Sequence, residues 1–398
     1  MLRSLVPVLL VALACAGSAH ATPRLRLGFD DDTLKWMTRP NRVIAIDHQL
    51  DATFTRITIP WRRGEVRPRP VVRTYMQRVT RALAMHQKIV IAIYNRADEA
   101  PTDAAARDEY CTYVGRLLER VPNLAAIVIW NEANSPRYWP VTSGAAGYEE
   151  LLARCWDVLH AIKSSVNVID STASHYDPAR FIHELGAAYR ASGRERPIVD
   201  TFGHNPYPES ASEDPWVIHT KLPVIGEGDY AKLISALTDA FRFTAQRVPS
   251  ATWTRLWYLE DGFQTAVPWT LQPFYRGHEN DLNVLPAMAL EDAKSQSLQL
   301  VAAISLAYCQ PAVGAFFNFE LYDEHRLGGW QSGVLYANGV RKASFATFKQ
   351  IAALSAAGVI DCSTVQGAPT GSTSQLNRRS EARPAMAGGA PSTARKAL

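Results

Sequence analysis

Two glutamates in this chain stand where a strand runs out, and that placement gives them chemical meaning. The segment Ala126-Ile-Val-Ile-Trp130-Asn131-Glu132-Ala133-Asn134 passes from apolar residues straight into a polar Asn-Glu pair. Arg255-Leu-Trp-Tyr-Leu-Glu260 closes a second apolar run with a carboxylate. Two carboxyls facing each other across a pocket can break a glycosidic bond. One, protonated, gives its proton to the departing oxygen, while the other, ionised, attacks the anomeric carbon. A separation of about 5–5.5 Å gives retention through a covalent intermediate, and roughly 6.5–9.5 Å leaves room for an inverting water. The surroundings must hold the two proton affinities apart. Each glutamate also has a plainer reading: Glu132 as a cap for the following helix, and Glu260 as the neighbour of an Asp261-Gly262 turn.

Such a pair needs a scaffold that carries both glutamates to one mouth. Short β-branched and aromatic runs recur at Leu25–Phe29, Phe54–Ile59, Lys88–Tyr94, Ala126–Trp130, Val166–Asp170, Ile198–Phe202, Arg255–Leu259 and Ala315–Phe319. Segments of helical period lie between them, near 70–86, 104–120, 146–164, 178–191, 230–246, 288–308 and 342–356. Strands alternating with helices predict a parallel sheet covered on both faces. Eight strands is also the number that closes a (β/α)₈ barrel, whose active sites lie at the C-terminal ends of its strands. An open doubly wound sheet is the alternative, but no Gly-x-Gly-x-x-Gly follows the first strand. On a barrel, Glu132 ends the fourth strand and Glu260 the seventh, so they line the mouth from opposite sides.

Arg56 stands on a strand that should be buried, and a buried Arg needs a partner. Glu260 is the functional candidate; Asp30 and Asp51 are the structural ones. Glu320 also ends a strand and can serve as a third acid or as a partner for substrate hydroxyls. Glu227, in Ile225-Gly-Glu227-Gly, reads as part of a connection before a helix. Sugars present C–H faces that stack on aromatic rings, and Trp61, Trp139, Trp269 and Trp330 all fall in strand-end loops.

This arrangement resembles clan A glycoside hydrolases, families 5 and 39 in particular. The resemblance implies that Glu132 is the acid/base and Glu260 the nucleophile. It further implies that Asn131 meets the hydroxyl beside the anomeric carbon. Arg56, in Phe54-Thr-Arg56-Ile-Thr-Ile-Pro-Trp61, matches the second-strand Arg that steadies the nucleophile. His204 and Tyr207, in Gly203-His204-Asn-Pro-Tyr207-Pro, resemble the sixth-strand pair beside it. Three positions depart from the pattern. Ala133 follows the glutamate where Pro is usual, Tyr94-Asn95 takes the place of a third-strand His, and Phe316-Phe-Asn318-Phe-Glu320 lacks the customary Trp.

Composition sets the outer bounds. Of 398 residues, 47% are hydrophobic and 20% charged, an ordinary globular balance. Arg3, the apolar Leu5 to Ala14 and Ala19-His20-Ala21 predict a secretory leader over residues 1–21, too short to span a membrane. The barrel is then expected over 22–363, exported and not inserted in a membrane. Past about Thr364 the chain turns rich in Ser, Ala, Gly, Pro and Arg, so residues 364–398 read as a disordered tail. Its Arg378, Arg379, Arg383, Arg395 and Lys396 against Glu381 alone account for the whole formal charge of +4. The rest is near neutral, which argues against a nucleic-acid partner. Cys111, Cys155, Cys309 and Cys362 are compatible with two disulfides or with buried thiols, and their spacing does not suit zinc. No phosphate loop or metal-ligand cluster appears, and two carboxyls suffice without a cofactor. The reading is therefore a secreted retaining glycosidase with a carbohydrate substrate. The rivals are a different enzyme on the same barrel and a non-catalytic barrel that binds carbohydrate.

Overall fold

The computed structural model describes residues 25–37, 39–277 and 293–369. The expected leader, the tail from residue 370 onward, and the stretch 278–292 of the connection and helix after the seventh strand lie outside the described residues. Nine strands form one sheet, every pairing parallel: β1 Arg26–Asp30, β2 Phe54–Pro60, β3 Lys88–Tyr94, β4 Ala126–Ile129, β5 Val168–Ile169, β6 Thr172–Ala173, β7 Phe202–Asn205, β8 Leu256–Asp261 and β9 Val313–Asn318. The sheet order is β5-β4-β3-β2-β1-β9-β8-β7-β6. Its two ends, β5 and β6, are halves of one stretch broken at Asp170-Ser171. Ile169 bridges to Thr201, just before β7, and closes the ring. The result is eight staves, a (β/α)₈ barrel, rather than an open sheet.

The helices wrap it in chain order: α1 Thr33–Trp36, α2 Asn41–Gln49, α3 Pro70–Ala84, α4 Ala104–Arg120, α5 Gly144–Ile162, α6 Pro178–Ala191, α7 Tyr230–Phe241, α8 Ala293–Cys309 and α9 Ala343–Ala357. Local chemistry fixes several starts. The Asp103 carboxylate accepts the Ala106 amide at 2.9 Å, and Asp177 accepts that of Arg180 ahead of Pro178 at the first turn of α6. Helix α2 was not expected from the sequence, because its polar residues leave only a short apolar face of Val43 and Ile44. None of the helices among the described residues is long and apolar enough to cross a membrane.

Two apolar layers result. Outward-facing strand residues pack under the helices in the large core, while Val90, Ala92, Ala126, Val128, Ile169, Trp257, Leu259, Ala315 and Phe317 fill the barrel itself. Two disulfides form among the described residues, Cys111–Cys155 between α4 and α5 and Cys309–Cys362 from the end of α8 to the segment after α9. Together they pin the outer layer on either side of the barrel.

One strand lies later than its sequence suggests. Ile198 and Val199 are apolar and buried, yet both their amides donate to the Gln246 side chain, at 2.9 and 3.1 Å. With those amides taken, only the Thr201 bridge to Ile169 precedes the strand, and the strand expected over 198–202 runs over 202–205 instead.

Candidate active site

Side chains alternate along a strand, so each glutamate's direction follows from its distance to the strand's inward residues. On β4, Ala126 and Val128 point inward, which makes Trp130 the next inward position. Trp130 has a left-handed backbone, φ 65°, and the alternation breaks there. Its ring goes outward, among Trp61, Tyr110 and Trp139 at 5.7–6.3 Å between centroids. Asn131 turns into the barrel instead. Glu132 is left-handed as well, φ 42°. Non-glycine residues in this region cost about 1–2 kcal/mol each, which the packed aromatic ring must offset.

On β8 the parity is broken differently. Trp257 and Leu259 face inward, which would send Glu260 outward. Against β9, however, Tyr258 pairs with Phe316 and Asp261 with Asn318, so β8 carries one extra residue over that step. This bulge turns Glu260 into the mouth and Asp261 out toward the helices. Gly262 follows because a Cβ there would collide with the Phe319 carbonyl.

Arg56, fully buried on β2, ties the strand ends together. Its Nη1 donates to Glu260 Oε1 at 2.8 Å and to Asp30 Oδ2, and its Nη2 donates to Asn131 Oδ1 at 3.0 Å. Of the three partners considered for it, Glu260 and Asp30 are present and Asp51 is not. Burial raises the proton affinity of Asp30 against the pull of Arg56, and the Glu260 charge adds to the rise. The hydroxyl of Tyr207 donates to Glu260 Oε2 at 3.3 Å. Burial and the Glu260 charge push that phenol upward, so it stays a donor.

Glu132 has a different setting. Burial first, and the charge of Glu260 second, push its carboxyl up to about 7. Asn205 Nδ2 donates to its Oε1 at 2.9 Å, and its own amide donates to Ser171 Oγ at 3.2 Å. Tyr138, whose phenol burial pushes up, lies within the field of both glutamates, with Tyr94 edge-on to it at 5.5 Å.

Sequence reasoning missed Asn205, which follows directly from the later start of β7. His204 and Asn205 sit on opposite faces of that strand. His204 is buried facing outward, its Nδ1 2.9 Å from Thr172 Oγ1 and its Nε2 2.8 Å from the Ile225 carbonyl. Burial lowers it to about 4. The structure thus puts His204 in the barrel wall, not beside Glu260, and gives the inward position to Asn205.

The aromatic set divides. Trp61 and Trp139 are buried, so their place is packing and not a sugar platform. Trp330 is half-buried and stacks at 5.4 Å on Tyr207 and, edge-on, on Phe319, which brings it next to Glu260. Trp269 is exposed on the β8–α8 connection. A buried ion pair holds this side: Lys342 Nζ donates to Asp323 Oδ1 at 2.6 Å, and Tyr275 donates to Asp323 Oδ2 at 2.7 Å. Glu320 lies beyond β9, where burial and the neighbouring Glu324 and Asp31 charges push its carboxyl up. It hydrogen-bonds neither Glu132 nor Glu260. At the same end of the barrel a cavity of about 520 Å³ opens between Trp36, Met37, Phe274, Arg276 and His325.

No protein-family model and no curated protein matches the chain. Solved structures do. The chain is similar to GH5_18 from Streptomyces cattleya in complex with GlcNAc, with a TM-score of 0.58 and 13% identity over 84% of this chain and 81% of that one. What the chain shares with these structures is the fold, a (β/α)₈ barrel. GH5_18 from Bifidobacterium longum subsp. infantis is similar at a TM-score of 0.54 and 12% identity, covering 83% of this chain and 79% of the other. A GH2 beta-galacturonidase from Eisenbergiella tayi bound to galacturonate is similar at 0.52 and 11%, with 83% of this chain covering 51% of that longer one.

Proposed function

We propose that this protein is a secreted retaining glycoside hydrolase acting on an external poly- or oligosaccharide. The observation that carries the reading is the unequal treatment of two buried glutamates. Arg56 and Tyr207 both donate to Glu260, one to each carboxyl oxygen, which fixes its carboxyl in the place of the nucleophile. Glu132, raised to about 7, keeps a proton to give at neutral pH. In the first step Glu260 attacks the anomeric carbon as Glu132 protonates the leaving oxygen. In the second, ionised Glu132 takes a proton from water, the water oxygen bonds to that carbon, and Glu260 leaves as carboxylate. Trp330 offers the ring face for the sugar bound over Glu260. Asn131, held by Arg56, faces the hydroxyl next to the reacting carbon. Glu320 serves substrate hydroxyls on the β9 side. Export rests on the leader composition of residues 1–21.

Purified protein screened against a glycan panel tests this, with β-linked GlcNAc and Manβ1-4GlcNAc compounds first. Two similar structures are complexes with GlcNAc and Manβ1-4GlcNAc. The expected result is hydrolysis of at least one glycan, abolished in Glu260→Ala. Binding of a glycan that survives in both Glu132→Ala and Glu260→Ala, with no turnover by wild type, would favour a carbohydrate-binding barrel instead.

A further inference from the structure

Behind the nucleophile lies a second pair of carboxyls for which the mechanism above has no use. The bulge that aims Glu260 into the mouth sends the next side chain, Asp261, outward. There it meets Glu227, in the single helical turn Glu227–Asp229 that leads into α7. Both residues are buried, with only 1% and 2% of their surface exposed. Gln310 links the two elements, its Nε2 donating to the Glu227 carbonyl at 2.8 Å and its Oε1 accepting from Tyr258 on the outward side of β8 at 2.6 Å, and none of the four carboxyl oxygens has a donor of its own. Two buried carboxyls set against each other without a donor or a cation are held together by a proton between them. Its surroundings supply no counter-charge. Tyr258 on β8 donates to Gln310 at 2.6 Å, Tyr230 of α7 donates nothing to the pair, and Asp229 is engaged by His219 at 2.7 Å. No lysine or arginine among the described residues acts on either carboxyl.

We propose that Asp261 and Glu227 are a positioning pair, whose shared proton fastens the bulged end of β8 to the turn before α7 and so fixes the aim of Glu260. A protonated Glu227 donates to Asp261, and the bulge is held from behind. When the proton leaves, two buried anions face each other without a cation. Their repulsion loosens the segment that carries the nucleophile. Burying such a pair costs stability, which a chain retains where function needs the geometry.

The inference rests on the glycosidase reading, and the test separates the two. The first arm is stability, which needs no substrate. Both carboxyls have raised proton affinity in the folded protein, Asp261 at about 8, so the fold binds protons that the unfolded chain releases. Their contribution is fully present below about pH 4, and it is lost as pH rises, first through the Asp261 value of about 8 and then as Glu227 ionises. Glu227→Gln supplies a permanent N–H donor to Asp261 and removes this dependence. Its melting temperature should exceed that of wild type by a margin that widens from pH 5 to pH 8. The second arm uses a 2,4-dinitrophenyl glycoside, whose leaving group departs without a proton from Glu132. Wild-type kcat/KM should fall on the alkaline side of the Asp261 ionisation, as Glu227 in turn loses its proton. Glu227→Gln should stay level there, whereas Glu227→Leu should lower kcat with KM little changed. Coincident melting margins at both pH values, or identical alkaline limbs for wild type and Glu227→Gln, would overturn the proposal. A wild type that cleaves no glycoside while the melting arm succeeds would overturn the glycosidase reading and leave the shared proton standing.

Discussion

The ends of β4 and β8 solve the same problem by opposite means. Each must turn a glutamate against the alternation of its own strand. On β4 the chain uses strained backbone: Trp130 and Glu132 are left-handed, and the displaced Trp130 ring is taken up by Trp61, Tyr110 and Trp139. On β8 it uses one extra residue, paid out as a bulge against β9. The electrostatics diverge as well. Glu260 receives a guanidinium and a phenol, while at Glu132 burial and the repulsion of Glu260 outweigh the Asn205 amide and the pull of Arg56 and Arg137. Identical side chains thus meet different surroundings, and those of Glu132 raise its hold on a proton.

The comparison breaks most completely if the charged side is removed. Glu260→Ala should cut turnover about 10⁴-fold or more for every glycoside, whatever its leaving group, as measured by steady-state kinetics. Glu132→Ala should cost about 10²–10⁴-fold on natural glycans, with much less loss on a dinitrophenyl glycoside. That dependence on leaving group is the mark of the protonated side, and equal losses on both substrates would erase the distinction. Arg56→Met leaves Glu260 and Asp30 buried beside no cation. It should destabilise the fold by about 3–5 kcal/mol in denaturant titration and lower kcat with it.

Smaller changes sharpen the contrast. Because Glu132 must be protonated for the first step, kcat/KM on natural glycans should fall as pH rises through about 7. Asn205 favours the ionised form of Glu132, so Asn205→Ala should move that limb to higher pH by a fraction of a unit. Trp330→Ala should raise KM by about tenfold or less, the scale of one stacking contact, and leave the pH limb in place.

Much of this site could be read in the sequence because strand ends announce themselves. An apolar run that stops on Asn-Glu, a second that stops on Glu, and an Arg inside a third are local signals, and the barrel brings all three together. What escaped was non-local. That His204 faces the wall and Asn205 the mouth shows only in their partners, Thr172 and the Ile225 carbonyl for the one and Glu132 for the other. A one-residue shift in a strand exchanges its faces. The bulge in β8 is equally silent, because the expected strand stops at Leu259 and Asp261-Gly262 reads as a turn, whereas the strand runs on to Asp261. Nor could composition say that Trp61 and Trp139 are packing while Trp330 lies beside Glu260, since that depends on which loop folds over which.

The central claim is that the carboxyls of Glu132 and Glu260 converge on one saccharide carbon, with Glu260 bonding to it. A 2-deoxy-2-fluoro glycoside of the sugar that the protein cleaves slows release of the intermediate enough for intact-mass measurement. The account predicts one added glycosyl unit, mapped by peptide digestion to Glu260 and absent in Glu260→Ala. A protein that hydrolyses the parent glycoside yet carries no adduct, and whose first product has inverted configuration, would contradict it.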